Sequence, residues 1–387
     1  MLAIGLMSGT SLDGVDTALC EIKGQGLDTD IRLLDFMTYE IDPDLKEEIR
    51  CVIRNEEPIT DLITSLNFRI GKLFSHAVKE ILHKNGLSGK DLAFIASHGQ
   101  TIYHIPKDTD RLVRSTLQIG EPAVIAYDHG VDVISNFRTM DMAAGGEGAP
   151  LVPLSEFILY GEKEKTIALQ NIGGIGNVTV MPKGQKEEDV FAFDTGPGNM
   201  VIDEAMKVLY GRSYDKGGEV ALSGQVDEKV LDSLLTHPYL AMNLPKSTGR
   251  EDFGELYTRE ILRNWNCLKK EDLIATLTLF TARTIADSYR KFIMEKFVLD
   301  KVIVGGGGAH NKALIQYLKE LLPEVEVLTQ DEIGLSSDAK EAIAFVILGN
   351  QTYHRAYGNI LGATGAREQV ILGNITPNPT SFRRKDV

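Results

Sequence analysis

The residues best suited to chemistry lie in short turns at the ends of apolar stretches. Residues 190–194 read as the end of a buried strand, and Asp194 is its last residue. We expect residues 195–198 to end that strand, because glycine permits positive φ and Pro197 lacks an N–H. Residues 199–210 then have helical character. A carboxylate that faces backbone N–H groups and a helix N-terminus suits a phosphate or Mg²⁺-phosphate ligand, although an ordinary strand-to-helix turn has the same composition.

A second turn combines hydroxyl groups, glycines and carboxylates between the predicted strands 2–7 and 15–22. Its N–H and hydroxyl groups suit phosphates, and either Asp13 or Asp16 would lie near a metal ion, through water. The alternative is a solvated hairpin turn, because Asp-Gly is a common turn pair.

Four consecutive glycines, 305–308, follow the predicted strand 301–304. Each glycine costs roughly 0.5–1 kcal/mol relative to alanine, so we expect the backbone to approach a ligand such as a nucleoside closely. The signatures of P-loop and Rossmann nucleotide sites do not occur in the sequence.

Three further candidates stay open from the sequence. Residues 138–150 read either as an interdomain linker or as a substrate loop. His98 is a ligand or base, or a packed and hydrogen-bonded histidine. Glu341 is a buried functional carboxylate, or the first-turn acid of a helix.

The elements that would position these residues repeat along the chain. Both halves have the predicted element order β-β-β-α-β-α-β. Residues 94–99 correspond to residues 302–307, and residues 131–135 correspond to residues 325–328. The sequence therefore predicts two duplicated α/β lobes around a central cleft. We place the first lobe at residues 1–140 and the second at 141–360, with residues 360–387 packing back on the first.

Composition restricts the partners. The 387 residues are 43% hydrophobic and 25% charged, and their net charge of −14 disfavours nucleic acid or an anionic membrane as the main partner. Three widely spaced cysteines favour a reducing compartment. No stretch reads as a signal peptide or a transmembrane span, so we expect a cytoplasmic protein.

Six stretches together carry a recognisable pattern: residues 5–16, 97–101, 143–153, 171–174, 193–199 and 246–251. They resemble the anhydro-N-acetylmuramic acid kinases of the sugar kinase/Hsp70/actin superfamily, over nearly the whole chain. The resemblance implies two ribonuclease-H-like (actin-like ATPase) lobes. It also implies an enzyme of cell-wall recycling that uses ATP and Mg²⁺ to open the ring of 1,6-anhydro-N-acetylmuramic acid with water and phosphorylate O6.

The resemblance also implies roles for particular residues. Asp194 is expected to be the catalytic base. The first phosphate loop would comprise Gly9, Thr10, Ser11, Leu12, Asp13, Gly14, Val15 and Asp16. We add the glycine turns to the nucleotide site, as Gly173, Gly174, Gly305, Gly306 and Gly307. We assign five residues to the sugar: Thr101, Arg138, Gly196, Asn199 and Glu341.

Two other functions stay open. One is a kinase of the same superfamily with an ordinary hydroxyl acceptor, which Asp194 would deprotonate. The other is an actin- or Hsp70-like assembly ATPase, against which the lack of an obvious partner-binding domain counts. Whether the protein forms a homodimer also stays open.

Overall fold

The computed structural model describes residues 1–9, 12–54, 60–184, 186, 189–334 and 338–379. The expected phosphate-loop residues Thr10 and Ser11 lie outside these ranges. The strands within them are β1 (Leu2–Ser8), β2 (Gly14–Lys23), β3 (Asp30–Glu40), β4 (Leu92–Ile105), β5 (Ser115–Ile119), β6 (Val133–Ser135), β7 (Ile167–Ile172), β8 (Ile175–Met181), β9 (Phe191–Pro197), β10 (Lys301–Gly305), β11 (Glu326–Thr329) and β12 (Asn374–Thr376).

The helices vary from one turn to seven. They are α1 (Pro43–Arg54), α2 (Thr60–Lys84), α3 (Pro122–His129), α4 (Thr139–Ala143), α5 (Val152–Tyr160), α6 (Met200–Tyr210), α7 (Glu219–Ser223), α8 (Glu228–Leu234), α9 (Pro238–Ala241), α10 (Arg250–Phe253), α11 (Glu255–Asn264), α12 (Lys270–Tyr289), α13 (Lys312–Leu321), α14 (Lys340–Tyr353) and α15 (Leu361–Thr364). None of the helices in the described ranges is long and apolar enough to cross a membrane.

The chain forms two compact units. The first unit comprises Met1–Tyr160 and Asp338–Val387, and the second comprises Gly161–Ser337. These bounds differ from the expected division at 140/141 and 360. The reason is that α5 and α14 pack against each other and against strands of the first sheet. Residues 380–387, which we expected to pack on the first lobe, lie outside the described residues.

The first unit is built on a sheet in the order β12-β6-β4-β1-β2-β3, with β5 paired to β4. Strands β1, β4 and β6 are parallel, whereas β1-β2-β3 is an antiparallel meander. Helix α14 is buried along most of its length, as expected for a helix that is apolar on all sides. Gly5 permits its close contact with β1, since a Cβ there would collide with the Ala342 carbonyl.

The second unit repeats this order as β11-β10-β7-β8-β9. Strands β7, β10 and β11 are parallel, and β7-β8-β9 is the antiparallel meander. Its long, buried helix is α12. The two sheets therefore share one strand order and one pattern of directions, which is that of the ribonuclease-H-like fold. This confirms the predicted duplication and α/β fold class.

Strand β9 corrects one prediction. We expected the strand to end at Asp194, but β9 continues to Pro197. The pairing shifts between Gly176 and Asn177, so Thr195 forms a β-bulge that bends the strand instead of ending it. Because β9 is the edge strand, Pro197 can occupy its last position despite lacking an N–H.

The segment 138–150 lies within the first unit, so the interdomain-linker interpretation is wrong. Its anchor is the fully buried Asp141, which accepts hydrogen bonds from the Gly148 N–H, Asn359 and Thr364 at 2.7–2.8 Å. The middle of the segment is thus held by the returning C-terminal stretch, whose strand β12 pairs with β6.

Candidate active site

In the first unit, the turn after β1 is held by a side chain from β4. The Ser8 hydroxyl donates to Gln100 Oε1 at 2.6 Å, and Gln100 Nε2 donates to the Gly9 carbonyl at 3.4 Å. The Leu12 N–H donates to the same carbonyl at 3.2 Å, with Leu12 in the left-handed region at φ 60°. Leu12 is buried in the core, so its side chain is an anchor for the turn and its contribution to a ligand site would come from the backbone.

Carboxylates gather beside this turn. Burial raises the pKa of Asp16, and the charges of Asp338 and Asp13 raise it further, while a 2.6 Å hydrogen bond from the Thr38 hydroxyl lowers it. Among the described residues, no group of three or more histidine, cysteine or carboxylate side chains is arranged to bind a metal directly. The described carboxylates beside this turn therefore do not form a closed metal cage.

The second unit brings three predicted turns to one edge of its sheet. Strands β7, β9 and β10 run in the same direction, so Gly173-Gly174, residues 198–199 and residues 306–308 follow their carboxyl ends. The Gly198 N–H donates to the Gly174 carbonyl at 3.0 Å. The Asn199 N–H donates to the Gly173 carbonyl at 2.8 Å, and Asn199 Nδ2 donates to Ile172 at 3.2 Å.

These bonds correct the expected anion site at the start of α6. The N–H groups of Gly198, Asn199 and Met200 already donate to the carbonyls of Gly173 and Gly174, so they are not free to bind a phosphate. The same contact explains Gly198, where a Cβ would collide with the Gly173 carbonyl.

The four-glycine turn also has an internal explanation at most of its positions. At Gly306, which has φ 78°, a Cβ would lie 2.6 Å from Asn171 Oδ1 and 2.9 Å from the Ile172 carbonyl. A Cβ at Gly308 would collide with Ile172, and one at Gly305 would lie 2.7 Å from Gln330. At Gly307 the nearest atom is Asn199 Nδ2 at 3.7 Å. Only Gly307 of this turn, therefore, leaves space in which a ligand could approach the backbone.

Asp194 lies half-buried on β9 and is held by residues from a distant stretch of the same unit. The Thr248 N–H donates to its Oδ2 at 2.9 Å, and the Tyr239 hydroxyl donates to its backbone carbonyl at 2.7 Å. Burial raises the pKa of Asp194, whereas the Thr248 hydrogen bond and the charge of Lys246 lower it. The arrangement presents a carboxylate with one oxygen fixed by a backbone donor.

In the first unit, Arg138 is fixed by neutral acceptors. Its Nε donates to His98 Nε2 at 3.0 Å, and its Nη1 donates to the Gly148 carbonyl at 2.8 Å. Burial and the Arg138 charge lower the pKa of His98 to about 3, and its Nδ1 donates to the Gly99 carbonyl. His98 is therefore a neutral, packed histidine that orients Arg138, which settles one open alternative against a ligand or base.

Glu341 and Thr101 occupy different positions in the same unit. Glu341 is exposed in the first turn of α14, so the first-turn interpretation is confirmed and the buried one is wrong. Its charge acts on Arg138 and raises the pKa of that guanidinium, against the larger lowering by burial. Thr101 is partly buried on β4, where its hydroxyl accepts from Gln118 at 3.4 Å.

A cavity of about 800 Å³ lies in the second unit beside the glycine turn after β7. Gly174, Met200 and residues of α10 and α11 line it, together with Asp203, whose pKa is raised to about 6 by burial. Sequence patterns did not single out Asp203, because an acid on an amphipathic helix ordinarily faces water.

Each unit therefore carries part of the predicted site. The first holds Gly9, Leu12, Asp13, Gly14, Val15, Asp16, Thr101, Arg138 and Glu341; the second holds Gly173, Gly174, Asp194, Gly196, Asn199, Gly305, Gly306 and Gly307. Sequence reasoning missed Gln100, Tyr239 and Lys246 as supporting residues. Gln100 and Lys246 lie inside two of the recognised stretches, 97–101 and 246–251, and this position was the signal that could have identified them.

The repeated sheets and the turns at their carboxyl edges define a protein of the ribonuclease-H-like, actin-like ATPase fold class. The family model for anhydro-N-acetylmuramic acid kinase matches residues 1–378. The chain belongs to this family, which confirms the resemblance carried by the six stretches.

Individual relatives agree with the family. The chain is 58% identical to the anhydro-N-acetylmuramic acid kinase of Clostridioides difficile (strain 630), over 98% of this chain and 99% of the relative. It is 50% identical to the kinase of the same name from Bacillus cereus (strain Q1), over 97% of this chain and 99% of the relative. Among solved structures, it is similar to the activator of 2-hydroxyisocaproyl-CoA dehydratase from Clostridium difficile, with a TM-score of 0.43 and 13% identity, over 93% of this chain and 99% of that one.

Proposed function

We propose that the protein is an ATP-dependent kinase that opens the 1,6-anhydro ring of 1,6-anhydro-N-acetylmuramic acid with water and phosphorylates O6. The products are N-acetylmuramic acid 6-phosphate and ADP, and the reaction belongs to cell-wall recycling. The observation that carries the proposal is Asp194, a half-buried carboxylate fixed at 2.9 Å by the Thr248 N–H, in a chain of the anhydro-N-acetylmuramic acid kinase family.

Asp194 acts as the general base. It takes a proton from a water molecule as the water oxygen bonds to the anomeric carbon. The bond between that carbon and O6 breaks, and O6 bonds to the γ-phosphorus of ATP as ADP departs. Opening of an acetal passes through an oxocarbenium-like transition state, so a carboxylate-held water on one face of the sugar is the nucleophile that the chemistry requires.

The first unit supplies the phosphate loop, residues 9–16. Backbone N–H groups of this turn would bind phosphate oxygens, and Asp13 or Asp16 would hold Mg²⁺ through water. The pKa of Asp16 is raised first by burial and further by the charges of Asp338 and Asp13. Support comes from this grouping of carboxylates, because a cation beside them would relieve their repulsion. When bound, Mg²⁺ neutralises charge on the phosphoryl group during transfer.

The remaining assignments concern the nucleotide and the sugar. Gly173, Gly174 and Gly305–Gly307 serve the nucleotide, with Gly307 as the position of closest approach. Thr101, Arg138, Gly196, Asn199 and Glu341 serve the sugar. For Arg138 the support is its fixed guanidinium, which suits an anionic group such as a carboxylate. We place the reaction in the cytoplasm, where ATP is available.

ADP release with and without the anhydro sugar tests the proposal. We expect release to require 1,6-anhydro-N-acetylmuramic acid, and N-acetylmuramic acid with an ordinary C6 hydroxyl to be a poor acceptor. Equal or faster reaction with the ordinary hydroxyl would support the alternative sugar kinase. Release of ADP that is independent of any sugar would support the assembly ATPase.

A further inference from the structure

The most unusual charged group outside the assigned site is Lys246. Its side chain is only 6% exposed, and no acceptor among the described residues lies within hydrogen-bonding distance of its Nζ. The ammonium instead lies over aromatic rings, 4.2 Å from the centre of Tyr239 and 5.6 Å from that of Phe292. Burying an ammonium without a hydrogen-bond partner is costly, and cation–π contacts offset only part of the cost. We therefore expect the buried Lys246 ammonium to have a functional role that offsets its cost in folding stability.

The chain around Lys246 lies along Asp194. The Asp194 N–H donates to the Lys246 carbonyl at 3.4 Å, and the Thr248 N–H donates to Asp194 Oδ2 at 2.9 Å. Tyr239, whose ring lies under the ammonium, donates from its hydroxyl to the Asp194 carbonyl at 2.7 Å. The cation and the carboxylate are therefore electrostatic neighbours, although the ammonium does not bond to either carboxylate oxygen.

We propose that Lys246 is a positioning residue for the proposed reaction, on which this inference rests: its charge keeps Asp194 ionised while leaving a carboxylate oxygen free for the attacking water. A direct ion pair would occupy that oxygen. An ammonium held by aromatic rings acts through its field alone. Thr248 then fixes one oxygen, and the other stays available.

Other charged and titratable groups surround the pair. Lys291 lies close enough to lower the pKa of Lys246, which burial and this repulsion together bring to about 8. Asp252 accepts from the Thr248 hydroxyl at 2.7 Å. Burial raises the pKa of Tyr239 well above its usual value, and the charges of Asp194 and Asp252 raise it further. Of these groups, Lys246 is the cation that lowers the pKa of Asp194. It is charged throughout the acidic range in which Asp194 titrates.

The sign of the effect follows from these charges. Loss of the Lys246 charge raises the pKa of Asp194, so a larger fraction of the base is protonated at acidic pH. The acidic limb of kcat/KM should therefore move to higher pH when the charge is removed. Above pH 8, where wild-type Lys246 loses its own proton, Asp194 is fully ionised in either case and the rate should change little.

The test compares Lys246→Met with Lys246→Arg, and with Lys291→Met as the matched control. Lys291 is partly exposed and donates to the carbonyls of Ala241 and Met242. We expect Lys246→Met to fold with at least wild-type thermal stability, because it removes a buried ammonium that lacks a hydrogen-bond partner. Its acidic limb should move to higher pH by more than the scatter between replicate profiles. Lys246→Arg should restore most of the wild-type limb, and Lys291→Met should keep it.

Two outcomes would overturn the inference. One is an unchanged acidic limb of kcat/KM in Lys246→Met. The other is a marked loss of thermal stability in that variant, because that loss is what a packing role for Lys246 predicts. A ¹³C NMR titration of the Asp194 carboxyl carbon, assigned with Asp194→Asn, gives a readout without turnover. If the wild-type protein shows no sugar-dependent ADP release, the proposed function fails, while the NMR titration still decides whether Lys246 controls Asp194.

Discussion

The two units use the same hairpin, between the first two strands of each sheet, in different ways. In the first unit a side chain holds the turn, since Gln100 contacts both Ser8 and Gly9. In the second, the Gly173-Gly174 turn is held by backbone N–H groups of residues 198–200. The charges differ too. Burial raises the pKa of both Asp16 and Asp194, but the neighbouring charges act in opposite directions: the charges of Asp338 and Asp13 raise the pKa of Asp16 further, whereas the Thr248 N–H and the Lys246 ammonium lower that of Asp194.

This difference shows how one fold divides two chemical tasks. Like charges around Asp16 disfavour its ionised form until a cation arrives, which suits a Mg²⁺-phosphate site. The donor and cation near Asp194 offset part of the effect of burial without a bound ligand, which suits a base that must be ready to accept a proton. Duplication supplied the scaffold, and the residues around each hairpin supplied the specialisation.

The largest expected effect is the loss of turnover when the proposed base, Asp194, is replaced. Asp194→Asn keeps the shape and an acceptor for the Thr248 N–H but cannot take a proton, so turnover should fall by roughly 10²–10⁴-fold. Nucleotide binding and thermal stability should be retained. Asp232→Asn, at an exposed position of α8, is the control and should be neutral. Near-normal turnover by Asp194→Asn would show that Asp194 is not the catalytic base.

A second variant tests the cation site of the first unit. Asp16→Asn should lower the apparent affinity for Mg²⁺ by roughly 10–100-fold, as loss of a group that orients metal-bound water does. A Mg²⁺ titration of ADP release measures this. The control is Asp30→Asn, on the exposed end of β3 in the same sheet. Equal Mg²⁺ dependence in the two variants would contradict the assigned role of Asp16.

The four-glycine turn gives a third test, because a side chain would collide with β7 at Gly306 but would have open space at Gly307. Gly307→Val has open space for its side chain and should fold, but should raise the KM for ATP about tenfold, or about 1.4 kcal/mol. Gly306→Val should instead destabilise the fold by about 1–3 kcal/mol, since it meets β7 and adopts φ 78°. Gly362→Ala, in open space in the first unit, is the control. A Gly307→Val variant with normal KM would place the nucleotide elsewhere.

The smallest effect concerns Asp203, an acid whose pKa is raised to about 6 by burial alone. Its protonated form is favoured in the folded state, so its destabilising contribution is absent below pH 4 and grows as pH rises through 6. Asp203→Asn should therefore stabilise the protein at pH 8, by about 1 kcal/mol after discounting for solvent screening, and should have no effect below pH 4. Thermal unfolding at both pH values measures the difference. Equal stabilisation at both would exclude titration as its cause.

Much of the fold followed from periodicity, and the errors have physical causes. The buried strand β10 is a short apolar run followed by glycines, so the predicted strand 301–304 agrees closely with the observed Lys301–Gly305. The short strand β12 was missed because its pairing with β6 depends on a partner far away in sequence. Strand β9 was ended too early because a bulge at a sheet edge tolerates residues that would break a central strand.

The site was predictable where composition carries the signal. Glycine-rich turns and Asp194 stand out in the sequence, and the structure places three of these turns at one sheet edge. What holds them is less visible. Tyr239 and Lys246 reach Asp194 from 45 and 52 residues away, and ordinary tyrosines and lysines give no local pattern. Nor could the sequence show that Gly306 and Gly308 are required by β7, because that contact depends on tertiary packing.

Reaction in ¹⁸O-water tests the central claim most directly. If Asp194 activates water to attack the anomeric carbon while O6 takes the phosphoryl group, the label should enter the sugar at C1 and should be absent from the phosphate. Mass spectrometry of the phosphorylated sugar, with fragments that separate C1 from the phosphate, locates the label. Label in released inorganic phosphate, or an unlabelled C1 oxygen after correction for exchange at the anomeric centre, would contradict the account.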